Sequence, residues 1–247
     1  MNLILEGIAW VLDPANWTGV GSIPQRIGEH LLITAIVLAI AAAIALPIGV
    51  LIGHTGRGRD LAVMLSGGLR ALPTLGVLAL FGLWLGIGLS APILALVILA
   101  IPPLLAGAYA GLESVDRRTI DSARAVGMRE RQIVGKVELP LGLPILVGGI
   151  RSATLQIVAT ATLAAYIADF GLGRFIFQGL KTRDYAEMLG GSMLVIILAL
   201  VVDGCFALSQ PLVVPAGVRA TQSPELRSGP ARPRAAVGQP ITEGNQE

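Results

Sequence analysis

Two stretches without a single charge constrain this chain more than anything else in it. Residues 31–52 form an uncharged apolar run of 22, and residues 71–112 form another of 42. A helix needs roughly 20 apolar residues to cross the bilayer core, so the first run makes one span and the second is too long for one. Gly86-Ile87-Gly88-Leu89-Ser90-Ala91-Pro92 has the composition of a tight turn and divides the long run into two helices. Two more apolar segments, 145–168 and 186–208, bring the count to five. Composition agrees: only 14% of residues are charged and the mean hydropathy is +0.75, against roughly 25% charged in an ordinary soluble domain. The expected fold class is an all-α integral membrane protein of about five transmembrane helices.

Lysine and arginine set the orientation. Arg57, Arg59, Arg117, Arg118, Arg124, Arg129, Arg131 and Lys136, with Arg219, Arg227, Arg232 and Arg234 near the C-terminus, share one side of a five-span chain. Arg26, Arg174, Lys181 and Arg183 fall on the other. Excess positive charge marks the cytoplasmic side, which puts the N-terminus outside and the C-terminus inside. Basic residues lie between the spans rather than in one patch, so a net charge of +2 does not point to nucleic acid.

Residues 1–25 are apolar but short, with Trp10, Asp13, Pro14 and Trp17, and are expected as an extracytoplasmic interfacial segment; a sixth span is the alternative. Glu6, rather than a basic cluster, precedes the first apolar run, unlike a cleavable signal peptide. Residues 26–210 are expected as the membrane domain and 211–247, rich in Pro, Gly, Arg and Glu, as a disordered cytoplasmic tail. Cys205 reads as a small core residue. Asp203 is the one acid within a span, with Arg70 and Arg151 as possible partners. His30 and His54 are placed in different loops, and no metal-ligand spacing or nucleophile with a base accompanies them, which argues against a membrane enzyme. An ion-driven secondary transporter predicts mid-membrane acids and internal repeats, and neither is seen.

The polar stretch between the third and fourth spans, 113–143, holds most of the information. Residues 115–126 suit a short helix, with Ser114 or Asp116 as N-cap. Gly127 is placed to end it in a left-handed conformation, and a second short helix fits 129–137, stopped before Pro140. Ile120, Ala123 and Val126 fall near one face of this knob, which could dock in a groove on a soluble partner. A merely solvated loop is the plain alternative.

In this loop Asp121, Ser122 and Ala123 precede Gly127 by the spacing of a motif, and nine residues separate Gly127 from Val137-Glu138-Leu139-Pro140. The pattern resembles the E-A-A, three residues, G, nine residues, I, any residue, L-P motif of permeases of binding-protein-dependent ABC importers. Asp stands for Glu, Ser for Ala and Val for Ile. The resemblance implies a type I ABC importer permease (MetI-like) fold in the bacterial inner membrane. It also implies an ATPase-coupling loop made by Asp121, Ser122, Ala123, Gly127, Val137, Leu139 and Pro140. No G-x-x-x-x-G-K-[ST] phosphate loop occurs, so no cofactor is expected on this chain, and ATP and magnesium are expected on a separate cytoplasmic ATPase subunit.

Further segments, among them Leu69-Arg70-Ala71-Leu72-Pro73, Gly149-Ile150-Arg151, Ala159-Thr160-Ala161-Thr162-Leu163-Ala164 and Gly171-Leu172-Gly173, resemble the osmoprotectant branch. That branch takes up glycine betaine, choline, carnitine and proline betaine; permeases for methionine or another amino acid are the nearest alternative. The resemblance implies three partners: the ATPase, a second permease subunit of the same or a related chain, and an extracytoplasmic substrate-binding protein. Aromatics are only 4% of the chain, so no rich cage for a methylated cation can be built on it, and the resemblance implies that the selective cage lies on the binding protein. Trp84, Tyr109 and Tyr166 are the intramembrane aromatics that could contact such a cation. Thr154, Gln156 and Thr160 give the fourth span a polar face that suits either a translocation path or hydrogen bonding between helices.

Overall fold

In the computed structural model of the protein, which describes residues 2–213, every regular element is helical. The expected tail lies, from residue 214 onward, outside the described residues. Helix α1 (Leu3–Leu12) is followed by α2 (Ile23–Thr55), which runs over the whole first apolar stretch and a turn or two beyond each end. Ser22 precedes α2 and Pro24 occupies its first turn, where a missing N–H costs nothing. At the far end Gly56, at φ 68°, donates its N–H to the Ile52 carbonyl and stops the helix. His54 therefore belongs to α2, as does His30; neither lies in a loop, because the apolar run is long enough to carry both flanks into helix.

Helices α3 (Arg59–Ala71) and α4 (Thr74–Leu85) meet at Leu72-Pro73 with a bend of 83°. Pro73 drives the residue before it out of the helical region; Leu72 sits at ψ 131°. Alone, α4 spans about 18 Å, well short of the hydrocarbon core of about 30 Å. Helix α5 (Ser90–Glu113) occupies the centre: 61% of its apolar window is buried, against 17–22% for the other long helices.

Small residues bring the neighbours of α5 close. Ala41, Ala45, Gly49 and Gly53 make a stripe on α2 at a spacing of four, all buried. A Cβ at Gly49 would meet Ala108 Cβ at 2.5 Å. On the opposite side α5 crosses α8 (Leu139–Thr160) at a glycine-on-glycine contact, where a Cβ at Gly107 would stand 2.5 Å from Gly149 Cα. Such contacts let backbones approach where no hydrophobic drive holds helices together in lipid.

Between α5 and α8 come α6 (Arg117–Ala125) and α7 (Glu130–Ile133). The second loop helix does not stop before Pro140. Residues Val134–Glu138 form a π-helical stretch that runs straight into α8. The wider turn lets the chain pass the proline, whose missing N–H and ring would break a regular α-helix. The polar stretch 169–184, between the last two apolar segments, holds α10 (Gly173–Thr182) after the short α9 (Ala165–Ala168). It escapes a search for apolar runs because it is amphipathic, burying Phe175 while exposing Lys181. Helix α11 (Tyr185–Val213) completes the fold. Cys205 is exposed on α11 rather than in the core. Helix α1 packs along α11, with Trp10 edge-on to Phe175 at 5.0 Å.

The side-chain contacts settle the course of the chain. Gly53 of α2 packs on Tyr109 and Leu112 of α5, and Arg59 pairs with Glu113 at 3.2 Å, so α2 and α5 end on the same side. The intervening α3 and α4 must therefore carry the chain back across. With α5 antiparallel to α8, the four long spans and the bent pair make five crossings.

Candidate functional site

The loop that carries the spaced motif folds into a compact knob. Asp116 Oδ1 accepts from the Arg118 N–H at 2.9 Å and starts α6, while Ser114 instead bonds back to Gly111 at the end of α5. Gly127, at φ 86°, closes α6: its N–H donates to Arg124 and that of Met128 to Ala123. Few side chains tolerate that φ, which accounts for glycine at this position. Gln132 then accepts from the Arg129 N–H at 2.8 Å and opens α7.

Val115, Ile120, Ala123 and Ile133 form a small core under the knob, joined by Met128 and Val137. Val126 does not belong to it: at 80% exposure it stands outward at the tip, because the chain is already turning into Gly127. The outer surface thus presents Asp121, Ser122, Val126 and Gly127, with Leu139 and Pro140 half-buried at the root.

A chain of charges runs through the knob. Arg124 Nη1 donates to Asp121 Oδ1 at 3.2 Å, and Arg124 Nε and Nη2 donate to the two oxygens of Glu130 at 2.9 and 3.2 Å. The hydrogen bonds to Glu130 hold the Arg124 pKa above its usual value. Glu130 Oε2 lies 3.2 Å from His54 Nε2, and His54 Nδ1 lies 2.6 Å from Glu138 Oε2. Glu138 is 1% exposed. Sequence reading left His54 and Glu138 without a role. Their one signal is a lone histidine closing an apolar span and a lone acid opening another, 84 residues apart.

At the opposite end of α2 a second polar group holds the turn before α10. Arg26 donates to the Asp169 carbonyl at 2.8 Å, and Glu29 accepts from the Gly171 N–H at 3.0 Å. His30, fully buried, has Nε2 2.9 Å from the Val158 carbonyl and accepts from the Leu172 N–H at Nδ1. One tautomer, with the proton on Nε2, satisfies both contacts.

The candidate path residues are dispersed. Trp84 and Tyr166 are exposed, each beside a phenylalanine, Phe81 at 6.3 Å and Phe177 at 5.6 Å between ring centroids. Tyr166 and Phe177 share a cleft of about 630 Å³ with Arg174 and Lys181. Tyr109 borders a smaller one of about 230 Å³ beside Arg70. The polar residues of α8 spend their hydrogen bonds within the fold: Thr154 and Thr160 donate to carbonyls one turn back, at 2.8 and 2.7 Å. Gln156 Nε2 donates to the Leu99 carbonyl of α5 at 3.0 Å. That carbonyl is the one Pro103, lacking an N–H, cannot engage. Asp203 takes a two-pronged hydrogen bond from Arg151 at 2.6 and 2.7 Å, one of the two partners expected for it.

Comparison with known proteins covers nearly the same region. The family described as "Binding-protein-dependent transport system inner membrane component" matches residues 45–216. The glycine betaine/carnitine/choline transport system permease protein OpuCB of Bacillus subtilis (strain 168) is 33% identical over 202 residues, 82% of this chain and 93% of the relative. The choline transport system permease protein OpuBB of the same organism is 33% identical with the same coverage. Among solved structures, a chain of the MetNI methionine ABC transporter in an inward-facing conformation superposes with a TM-score of 0.67 at 23% identity. It covers 84% of this chain and 98% of its own. That likeness bears on the fold, and it is the helical membrane fold implied by the loop motif.

Proposed function

Because the chain belongs to the family of binding-protein-dependent transport system inner membrane components, we propose that it forms the translocation path of an ATP-driven importer for quaternary ammonium osmoprotectants, glycine betaine, choline, carnitine or proline betaine. The knob at 117–139 carries this reading. It is a folded, outward-facing helix pair at the end of the molecule where eight of the lysines and arginines gather, those of the first loop and of the knob itself. Its tip residues Asp121, Ser122, Val126 and Gly127 are exposed, as a docking element requires. ATP is hydrolysed on a separate subunit that receives this knob, and no cofactor resides on the chain described here.

The same reading assigns an extracytoplasmic binding protein to the face bearing α10, and a second permease subunit to the apolar faces that one chain leaves bare, among them Leu83, Trp84 and Ile87. Cargo chemistry follows from the relatives, whose names specify glycine betaine, carnitine and choline. Along the path, exposed aromatics at Trp84 and Tyr166, with Tyr109 further in, supply weakly polar faces that a methylated cation tolerates. Gln156 and Thr160, each with a donor already engaged within the fold, contribute shape more than affinity. Residues 1–25 serve as an extracytoplasmic segment, of which α1 lies along α11.

ATP-dependent uptake of labelled glycine betaine, choline and carnitine into vesicles carrying the chain, its ATPase and its binding protein tests this. A parallel sample carries Gly127→Trp, which puts a bulky side chain where φ is 86°. Uptake by the wild type, lost in the variant at equal membrane expression, is the expected result. An ATPase-active complex that imports none of the three overturns the cargo assignment.

A further inference from the structure

The charge chain of the knob ends on a residue outside the motif. His54 closes α2, and its two ring nitrogens face two carboxylates from the other side of the loop: Nδ1 at 2.6 Å from Glu138, Nε2 at 3.2 Å from Glu130. Glu138 is buried to 1% exposure at the point where the π-helical stretch becomes α8, and His54 is its hydrogen-bond partner among the described residues. A buried carboxylate without its partner is costly, so this contact holds firmly once made.

The far end of α2 is fixed to α8 as well, through His30 at the Val158 carbonyl, and to the turn at 169–172 through Glu29 and Arg26. Along α2 the two histidines stand 24 residues apart, about 36 Å; along α8 Glu138 and Val158 stand 20 apart, about 30 Å. Helix α5 lies between these antiparallel rods, and the two histidines pin them together at both ends.

We propose that His54 is a positioning residue of the transport cycle, fastening the knob to α2 through Glu138 and Glu130 so that displacement of the knob moves α2 as a rod and shifts the turn at 169–172 on the opposite face. This rests on the reading that the knob meets an ATPase. The motif residues receive the push; His54 decides whether it reaches the first span or is absorbed by local bending of the π-helical stretch. A second arm of the chain, Arg124 between Asp121 and Glu130, ties the motif's acidic position to the same strap.

Side-chain geometry makes a discriminating test possible. An asparagine amide overlays the Nδ1 position of histidine and a glutamine amide the Nε2 position, so His54→Asn keeps the bond to Glu138 while His54→Gln keeps only the reach to Glu130. Both variants, with His54→Ala and Glu138→Gln, go into the full complex of permease, ATPase and binding protein. ATP hydrolysis and uptake of the labelled quaternary ammonium mixture are measured in the same vesicles, and retention of the ATPase on the permease is measured by affinity capture. Expected is a fall of about ten-fold in solute imported per ATP for His54→Ala and His54→Gln, the factor that corresponds to one charge-assisted hydrogen bond. Hydrolysis and ATPase retention stay near wild type, and His54→Asn recovers most of the ratio. Equal ratios in all variants overturn the proposal, as does a parallel loss of hydrolysis, uptake and subunit retention, which marks a fold contact only. A wild-type chain that neither retains the ATPase nor imports is a separate outcome: it overturns the functional reading beneath the proposal.

Discussion

At the scale of single residues, proline and glutamine explain each other. Pro102 and Pro103 stand inside α5, and the second of them leaves the Leu99 carbonyl without its helical donor in the middle of a membrane helix. Gln156 supplies that donor from α8 at 3.0 Å. Gln156→Leu removes it without changing the helix pattern, and the chain is expected to lose about 1 kcal/mol of stability. A lower melting temperature of the detergent-purified chain would register this, with uptake reduced only in proportion to folded protein. An unchanged melting temperature would mean that the carbonyl finds another donor. Of these contacts the sequence shows the prolines and the polar side chain but not their meeting, since Leu99 and Gln156 are 57 residues apart. Gly127 was legible because its demand is local: it follows a short helix whose N-cap, Asp116, stands eleven residues before it, and glycine is the residue that ends such a helix. His54 and Glu138 were not, because neither sits in a pattern and only the packing of α2 against the loop unites them.

Elements are legible where a period or a breaker dominates. Charge-free runs located α2 and α5, an apolar segment located α11, and the turn residues from Gly86 fall, as expected, between α4 and α5, whereas the 83° bend at Leu72-Pro73 lies at the edge of the long run and leaves no mark in it. The expectation of a stop before Pro140 failed for a specific reason: a π-helical turn is invisible to propensity, and it is what lets the proline continue the helix. The amphipathic α10 hid in a polar stretch for lack of a long apolar run. Where helices cross closely, glycine sits at the crossing. Gly148 and Gly149 are neighbours in sequence, yet a Cβ at Gly149 would stand 2.6 Å from Gly107 Cα, while one at Gly148 meets nothing within 4 Å. Gly149→Leu therefore forces α5 and α8 apart, at a cost of about 1–3 kcal/mol. Gly148→Leu adds an apolar side chain on an open face and leaves the fold intact. Thermal unfolding of the two purified variants separates them; equal melting temperatures would contradict the close crossing.

For the molecule as a whole, the decisive question is whether α3 and α4 cross the membrane or dip in and return. Length alone favours neither, because a 12-residue helix with an 83° bend suits both. Side-chain contacts decide it: Arg59 reaches Glu113, and Gly53 rests on Tyr109 and Leu112, so the ends of α2 and α5 lie together and the chain between them has to cross once. The distribution of basic residues requires the same. With a crossing, Arg57, Arg59 and the six of the knob share one face; with a re-entrant pair they would be divided between two. In a Cys205→Ala background, single cysteines at Arg57, Thr119 and Lys181 report the sides directly. A membrane-impermeant maleimide added to intact spheroplasts is expected to label Lys181→Cys and to spare the other two, with the pattern inverted in inside-out vesicles. Opposite accessibility of positions 57 and 119 would overturn the crossing. Joint labelling of 57 and 119 from outside would keep the five crossings and reverse the orientation, and an ATPase could then not meet the knob from the cytoplasm.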